Sequence, residues 1–354
     1  MLRAPRYSPP PYRRPTDVMV KTIEKWRQPI RIAIIGISPP TLSAVQLLIL
    51  IGCGLVGSAL IAQLCDVGDG NLQVVLIASS KRFLVYSDFR GIDLPLWKRL
   101  LCDDGKDYSH FSEIQEILYR ASGNDPALLV VDCTASDAIP SHYEDLLNHR
   151  VSIATPNKKG VSGTLDLWRG IVRSASRAEA IVYYEATVGA GLPVISTLQD
   201  LYESKDQVRK IEGIFSGTLS YIFNEFSSGT VKFSQVVKEA KQKGYTEPDP
   251  RDDLNGMDVA RKLTILGRTI GMDIEGPPSP NIFPIDSLIP SVLVNVKSGD
   301  EFLAGLPAHD AEFDEKREAA KKEGKVLRYV GSIDVPTGTI KVGLETYHLR
   351  HDAI

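Results

Sequence analysis

Short apolar runs rich in β-branched residues alternate with helical hydrophobic patterns along the first half of the chain. The runs that predict strands cover residues 47–51, 73–78, 127–132, 151–154 and 181–184. The segments that predict helices cover 58–64, 111–120, 143–148 and 165–175. Regular alternation of this kind is typical of a parallel sheet with helices on both faces. The sequence therefore predicts a Rossmann-type, doubly wound α/β domain over residues 30–184.

The second half of the chain lacks this regular alternation. Helices are predicted at 233–243 and 253–270, and strands at 326–335 and 339–344 flank a turn at 336–338. An irregular order of helices and strands indicates an α+β fold, so we expect a second domain over 185–354. Residues 1–29 are rich in Lys, Arg and Pro and predict a disordered basic tail. The prolines argue against a mitochondrial presequence, which needs an amphipathic helix.

Two segments are candidates for the first strand of the sheet, 31–36 and 47–51. Only the second leads directly into a glycine motif. If the first were joined to Cys53, residues 37–51 would be an insertion, and the sequence leaves both arrangements open. Residues 45–64 carry no charge and reach the length of a membrane span. Two glutamines and several glycines favour a buried strand, a tight turn and a buried helix instead, so we expect no membrane association.

Composition narrows the class of protein further. A formal net charge of −3 gives no reason to expect binding to nucleic acid or to an anionic membrane. Cys53, Cys65, Cys102 and Cys133 form no CxxC pair and have no histidine cluster beside them. This pattern argues against a disulfide framework and a zinc site, and it favours a reducing, cytoplasmic location.

A dinucleotide-binding motif stands between the strand 47–51 and the helix that follows it. Its residues are Gly52, Cys53, Gly54, Leu55, Val56 and Gly57, a complete G-x-G-x-x-G. The first glycine permits the tight turn, the second lets a pyrophosphate approach the backbone, and the third lets helix and strand pack closely. The free N–H groups and the dipole of the helix N-terminus favour the anion.

The residues after the second strand bear on the choice between NAD and NADP. An acidic residue there would bind the ribose 2′-hydroxyl and repel a 2′-phosphate. The sequence has Ser79, Ser80, Lys81 and Arg82 instead, and two hydroxyls with two cations suit a phosphate. We therefore expect that NADP is accepted, with Ser80 and Arg82 among the cofactor contacts. Thr134 and Lys158 follow later strands, on the side of the sheet where the nicotinamide would lie.

The segment 244–262 concentrates charged side chains. Asp252 or Asp253 is a natural N-cap, and the helix that follows would place Asp258 and Lys262 on one face at i and i+4. An exposed ion pair and a solvated acidic loop are the plain alternatives. The segment is a candidate active site, because its carboxylates can bind a substrate ammonium group and the nearby lysine can donate a proton.

This segment, together with 185–193 and 213–222, closely resembles homoserine dehydrogenase, in particular its short monofunctional fungal form. The resemblance implies NAD(P)-dependent interconversion of L-aspartate 4-semialdehyde and L-homoserine, on the route to threonine and methionine, by a homodimer. It implies that Lys262 is the general acid, with Asp258 beside it, and that Lys158 reaches cofactor and substrate while Thr134 contacts the nicotinamide side. Glu247 and Asp253 would hold the substrate amino group, in a substrate site that also includes Asp252, Tyr245, Gly217 and Thr218. A sodium or potassium ion would bind the Glu185 carboxylate and the carbonyls of Val188, Ala190 and Leu192, because hard oxygen ligands without a charge cluster suit a monovalent cation.

The resemblance also bears on the limits of the chain and on rival functions. Family members continue for several dozen residues beyond the position of Ile354, so the sequence predicts a catalytic and dimerisation domain that lacks its C-terminal end. A truncated, inactive relative that binds NADP without turnover is the alternative function. Aspartate-semialdehyde dehydrogenase is excluded, because it needs a nucleophilic cysteine in its second domain and no cysteine follows Cys133.

Overall fold

The computed structural model describes residues 46–67, 72–122, 128–277 and 285–348. The chain divides into two compact units between Ser196 and Thr197. The first contains a mainly parallel sheet with helices, and the second combines helices with a small antiparallel sheet. The predicted fold class, a Rossmann-type sheet followed by an α+β unit, is confirmed. The predicted domain limits at residues 29 and 184 stay predictions, and the tail 1–29 lies outside the described residues.

The sheet of the first unit has the strand order β4-β3-β2-β1-β5-β6-β7. Its strands are β1 (Gln46–Ile51), β2 (Leu72–Ala78), β3 (Arg82–Val85), β4 (Lys106–Asp107), β5 (Leu128–Asp132), β6 (Ser152–Ala154) and β7 (Val182–Tyr183). Strands β2, β1, β5, β6 and β7 are parallel, whereas β3 and β4 extend the edge beside β2 in antiparallel fashion. The parallel strands match the prediction. The sequence did not predict β3 and β4, because such short edge strands have too few residues to show a period.

The helices of the first unit cover both faces of this sheet. They are α1 (Leu55–Val67), α2 (Trp97–Asp103), α3 (Phe111–Ser122), α4 (Tyr143–Asn148), α5 (Lys158–Ser162), α6 (Leu165–Ala178) and α7 (Val194–Glu203), which crosses the division between the units. Ile114 and Ile171 belong to the core on one face, and Leu60 and Leu101 belong to the core on the other. Alternate residues of β1 contribute to the two cores, which explains its continuous apolar sequence.

The first-strand alternatives are resolved by the position of β1. It lies at the centre of the sheet, paired in parallel with β2 and β5. The second candidate segment is therefore the strand, and the other candidate, 31–36, lies outside the described residues. The apolar segment 45–64 supplies β1 and most of α1, as the sequence predicts. Within the described residues, no helix is long and apolar enough to cross a membrane.

The second unit has a three-stranded antiparallel sheet of order β10-β9-β8. The strands are β8 (Lys210–Gly213), β9 (Lys325–Asp334) and β10 (Thr339–His348). The helices are α8 (Gly217–Ser228), α9 (Phe233–Gln242), α10 (Arg251–Leu254), α11 (Met257–Thr269), α12 (Gly299–Gly305) and α13 (Asp310–Lys322). Short 3₁₀ turns occur in both units, at Leu94–Leu96, Pro140–His142, Glu185–Thr187, Ser291–Leu293 and Leu306–His309.

The core of the second unit contains an aromatic cluster of Phe223, Phe226, Phe233 and Phe313. The rings of Phe233 and Phe313 stack with their centroids 3.9 Å apart.

The helix predicted at 253–270 is wrong at its start. The chain forms the short α10, turns at Asn255 and Gly256, and then begins α11 at Met257. Gly256 has φ +74°, which interrupts a helix, and the Asn255 side chain accepts the Met257 N–H at 2.8 Å. Asp252 and Asp253 consequently lie inside α10 and not at an N-cap, a position taken by Pro250.

Candidate active site

The glycine motif forms the turn between β1 and α1 that its sequence predicts. Gly52 has φ +93° and donates its N–H to the Ala78 carbonyl at 2.8 Å. A Cβ on Gly57 would collide with the Gly52 carbonyl oxygen, so close packing excludes any side chain there. A Cβ on Gly54 would meet no heavy atom within 4 Å. The motif is thus tight where helix and strand pack and open where a pyrophosphate would approach.

The variable residues of the motif have different environments. Leu55 is 93 % exposed and Val56 is exposed at the start of α1. The Cys53 thiol donates to the Ala78 carbonyl at 3.2 Å, and burial raises its pKa to about 11. The Cys53 side chain therefore stays a neutral thiol that ties the turn to β2, and it is not an activated nucleophile. Only the backbone of Cys53 would then be available to contact a cofactor.

The turn after β2 separates its two cations. Ser79 accepts the N–H groups of Lys81 and Arg82, and both Ser80 and Lys81 are exposed. The Arg82 guanidinium donates to carbonyls at the end of α2, and its Nε lies 3.1 Å from Asp107 on β4. Arg82, predicted to contact the cofactor, is therefore turned toward α2 and β4. Lys81, by contrast, faces solvent.

The polar turns after β5 and β6 lie together, as expected for the carboxyl ends of neighbouring parallel strands. Asn157 caps α5 by accepting the Lys159 N–H, and its amide nitrogen lies 3.3 Å from the Thr134 hydroxyl. Lys158 begins α5 and is half-buried. The structure thus brings Thr134 and the turn that carries Lys158 to one edge of the sheet.

In the loop 185–192, the Glu185 carboxylate makes contacts that the sequence did not predict. Both carboxylate oxygens of Glu185 accept backbone N–H groups of α7, from Ile195 and from Ser196, each at 2.8 Å. The Leu192 carbonyl accepts the Val194 N–H at 2.9 Å, and Ala190 has φ +52°. Glu185 is thus a helix cap. A carboxylate has about four lone-pair sites, so capping still leaves acceptor capacity toward a cation.

The described residues contain no cluster of three or more His, Cys, Asp or Glu side chains suited to a metal ion. The predicted ligand set, with one carboxylate and the carbonyls of Val188, Ala190 and Leu192, is of a different kind. Its donors are hard oxygens that carry little net charge, which suits a monovalent rather than a divalent cation.

Lys262 and Asp258 are brought together on α11. The Lys262 ammonium lies 2.7 Å from a carboxylate oxygen of Asp258 and donates to the Phe215 carbonyl at 2.6 Å. The Lys262 side chain is 17 % exposed, whereas that of Asp258 is 44 % exposed. The Phe215 carbonyl could not be predicted, because a backbone acceptor has no signature in the sequence. Phe215 lies just before the start of α8.

The predicted substrate residues gather around the start of α8. The Glu247 N–H donates to the Asp253 carboxylate at 2.8 Å, and the Thr218 hydroxyl donates to the Tyr245 carbonyl at 2.6 Å. Burial, together with the charge of Glu247, raises the pKa of Asp253, although the hydrogen bond from the Glu247 amide and the nearby Thr218 side chain oppose the rise. An open cleft adjoins this cluster, lined by Gly217, Thr218, Tyr221 and Tyr245. Asp252 is exposed on α10, and its charge also raises the pKa of Asp253.

The contacts of Tyr221 and of Arg251 were not anticipated from the sequence. The Tyr221 and Tyr245 rings pack edge to face with centroids 5.0 Å apart, and Lys243 donates to the Tyr221 hydroxyl at 2.8 Å. Arg251 forms a bidentate pair with Asp249 and donates to the Val296 carbonyl at 2.8 Å. The sequence marks Tyr221 only as part of the segment 213–222, and the fold shows that its ring packs against Tyr245.

Comparison with known proteins bears on both units. The family model described as "Homoserine dehydrogenase, NAD binding domain" matches residues 52–185, and the one described as "Homoserine dehydrogenase" matches 193–353. The chain is 46 % identical over 313 residues to homoserine dehydrogenase of Schizosaccharomyces pombe, covering 85 % of this chain and 81 % of that one. It is 45 % identical over 306 residues to homoserine dehydrogenase of Saccharomyces cerevisiae, covering 85 % and 83 %. A crystal structure of a Candida auris protein of unknown function is 41 % identical, with a TM-score of 0.80, over 88 % of this chain and 86 % of that one.

Proposed function

The chain belongs to the homoserine dehydrogenase family, and from this premise we propose how its own residues carry out the reaction. It is an NAD(P)-dependent oxidoreductase that interconverts L-aspartate 4-semialdehyde and L-homoserine. In the reducing direction the aldehyde carbon gains a hydride and the carbonyl oxygen gains a proton. The bound nicotinamide supplies the hydride. The protein must supply the proton, and it must hold the substrate amino group so that the aldehyde carbon lies beside the nicotinamide.

We assign the proton to Lys262, and the observation that carries this assignment is its pair of acceptors. An ammonium group rotates, but its three N–H donors keep tetrahedral angles to one another, so fixing two of them fixes the third. The Asp258 carboxylate and the Phe215 carbonyl occupy two directions, at 2.7 and 2.6 Å. The third N–H is then directed by the other two, and it can donate to a carbonyl oxygen placed beside α11. In homoserine oxidation the neutral amine would accept the same proton.

The substrate ammonium group would be held by Asp253 and Glu247. Their carboxylates share one region, because the Glu247 amide donates to Asp253. The pKa of Asp253 is raised by burial and by the charges of Glu247 and Asp252, so a cation beside this carboxylate would be favourable. A substrate ammonium would supply that cation, and this makes Asp253 the more important of the two. Thr218, Tyr245, Gly217 and Asp252 line or flank the same cleft and would shape it around the substrate.

The cofactor would be NADP or NAD, held by the turn from Gly52 to Gly57. The fit of this turn rests on the open side of Gly54 and the start of α1. Lys158 and Thr134, at the carboxyl ends of neighbouring strands, would contact the nicotinamide side, and Lys158 would also reach the substrate. Ser80 and Lys81 would receive a 2′-phosphate. The 185–192 loop would bind sodium or potassium through Glu185 and the carbonyls of Val188, Ala190 and Leu192.

We further propose that the enzyme is a cytoplasmic homodimer serving threonine and methionine synthesis. All four cysteines are free thiols, which agrees with a reducing compartment. Light scattering of the purified chain during gel filtration tests the assembly. A mass near twice 38.9 kDa supports the dimer, and a mass near 38.9 kDa contradicts it.

The decisive test is homoserine oxidation by the purified 354-residue chain, followed through NADPH formation. We expect turnover that depends on homoserine, with NADPH binding measured separately by fluorescence. Lys262→Met should abolish most turnover while NADPH still binds. Cofactor binding without turnover by the unmodified chain would contradict the assigned reaction and would match an inactive relative.

A further inference from the structure

The carboxylate of Asp132 is completely buried at the end of β5, yet within the described part of the chain no lysine or arginine forms an ion pair with it. Its oxygens accept three hydrogen bonds: from the Thr134 N–H at 2.8 Å, the Tyr143 hydroxyl at 2.6 Å and the Asn157 side-chain amide at 3.1 Å. An ionised carboxylate without such donors would be very costly to bury. The three donors come from different segments of the first unit, so one carboxylate holds these segments together.

Tyr143 completes the arrangement from α4. Its side chain is fully buried, and its hydroxyl lies 3.1 Å from that of Thr155. Thr155 donates to the Asp132 carbonyl at 2.9 Å and accepts the Asn157 N–H at 2.9 Å. Burial and the neighbouring Asp132 raise the pKa of Tyr143 well above its usual range, so the hydroxyl stays a neutral donor.

The same network reaches α5, which carries Lys158. Asn157 both caps α5 and donates to Asp132, to the Ser136 carbonyl and toward Thr134. A Cβ on Gly160 would lie 2.6 Å from the Tyr143 ring, so α5 rests directly on that ring. A shift of Tyr143 would therefore move the start of α5.

We propose that Asp132 and Tyr143 are positioning residues that fix the turns bearing Thr134 and Lys158 in the geometry of the reaction. The inference rests on the proposed roles of Lys158 and Thr134. Neither Asp132 nor Tyr143 would touch substrate or cofactor, since both are fully buried. Replacing a buried ion pair by well-packed apolar residues of similar volume is often neutral or stabilising, so stability alone does not explain a buried carboxylate. The Asp132 carboxylate accepts hydrogen bonds from three segments and so fixes their relative positions, which an apolar side chain could not do.

A double-mutant cycle on the full chain tests this through homoserine oxidation. The variants are Tyr143→Phe, Lys158→Met and the combination. We expect Lys158→Met to lower kcat/KM for homoserine, and Tyr143→Phe to lower it by about 10- to 100-fold alone. In the Lys158→Met background, Tyr143→Phe should cost much less, because the group that it positions has been removed. A purely structural role would cost the same factor in both backgrounds.

Hydrogen exchange gives a readout that does not depend on activity. Peptides covering 133–137 and 156–162 should exchange faster in Tyr143→Phe than in the unmodified chain. Tyr119→Phe is the matched control, because Tyr119 also donates to a carboxylate, that of Asp145, but on the surface. If Tyr143→Phe does not fold, Thr155→Val removes the neighbouring hydroxyl and enters the same cycle.

The outcomes separate this inference from the proposed function. Impaired Lys158→Met, with equal losses from Tyr143→Phe in both backgrounds, overturns the positioning role alone. Unchanged exchange in both peptides overturns it as well. Full activity of Lys158→Met overturns the role proposed for Lys158, and the inference fails with it. Absence of homoserine turnover by the unmodified chain overturns the proposed reaction itself.

Discussion

The Lys262 ammonium lies 2.7 Å from the Asp258 carboxylate, one helical turn away on α11. Exposed pairs of this spacing contribute only about 0.3–0.5 kcal/mol to helix stability. This pair differs because the lysine side chain is mostly buried and also donates to the Phe215 carbonyl at 2.6 Å. The arrangement holds an ammonium group in one orientation, which is what a general acid requires.

Replacing Lys262 should remove proton transfer without removing the cofactor site. We expect Lys262→Met to lower kcat by about 10²–10⁴, the usual contribution of a positioned general acid or base. NADPH affinity, measured by fluorescence titration, should be unchanged, since the glycine motif belongs to the other unit. Arg120→Met is the control, because Arg120 forms an exposed pair at the same spacing with Glu116. A loss of cofactor binding equal to the loss of kcat would contradict the assignment.

Asp253→Asn should weaken substrate binding. A hydrogen bond to a charged group contributes about 1.5–3 kcal/mol, so KM for homoserine should rise about tenfold or more. The pKa of Asp253 is raised by burial, so its carboxyl group contributes stability that is present below its unfolded pKa and lost as pH rises through its folded pKa. Removing the charge should therefore stabilise the free enzyme near pH 7.

Thermal unfolding between pH 4 and pH 7 checks the second part of this prediction. The advantage of Asp253→Asn over the unmodified chain should grow with pH across this window and then level off. A variant that is less stable than the unmodified chain at pH 7, or one with unchanged KM, would show that Asp253 is not an uncompensated carboxylate kept for a ligand.

Much of the first unit could be predicted because its information is local. The parallel strands are continuous apolar runs, and the motif from Gly52 to Gly57 follows one of them directly. The edge strands β3 and β4 could not be predicted, since runs of four and two residues are too short to show a period. The environment of Arg82 could not be predicted either. Its acceptors, the carbonyls of Cys102 and Gly105, lie far along the chain and have no sequence signature.

The candidate site shows the same division. Asp258 and Lys262 share a helix, so spacing alone predicts their contact. The contact between Glu247 and Asp253 is also short in sequence. Phe215, by contrast, lies 47 residues from Lys262 in the sequence, and only the folded chain brings its carbonyl to the ammonium group. The predicted helix 253–270 wrongly included Asp253. The turn at Asn255 and Gly256 separates Asp253 from α11, and Asp253 instead lies near Thr218.

The turn after β2 gives a prediction about cofactor choice. Lys81→Ala should weaken NADPH binding by about tenfold or more and leave NADH binding nearly unchanged, since only NADPH carries the 2′-phosphate. Arg82→Ala should instead lower thermal stability, because it removes the donors to the Cys102 and Gly105 carbonyls. Fluorescence titration with each cofactor separates the two effects. A loss of NADPH preference in Arg82→Ala alone would reverse the assignment of these residues.

The double role of Glu185 leads to a prediction about monovalent cations. Its carboxylate caps α7 through the Ile195 and Ser196 amides, so Glu185→Gln should cost about 0.5–2 kcal/mol of unfolding free energy even in choline chloride. If the loop also binds sodium, the unmodified chain should be more stable in NaCl than in choline chloride of equal ionic strength. The increment would be about 1.4 kcal/mol at a sodium concentration ten times the dissociation constant.

Glu113→Gln is the matched control for that experiment. The Glu113 carboxylate also accepts two backbone N–H groups, from Ser109 and His110, at the start of α3. We expect Glu113→Gln to lower stability while keeping the full sodium increment, and Glu185→Gln to lower stability and lose most of the increment. An equal increment in both variants would mean that the Glu185 carboxylate only caps α7. No increment in the unmodified chain would contradict the cation site itself.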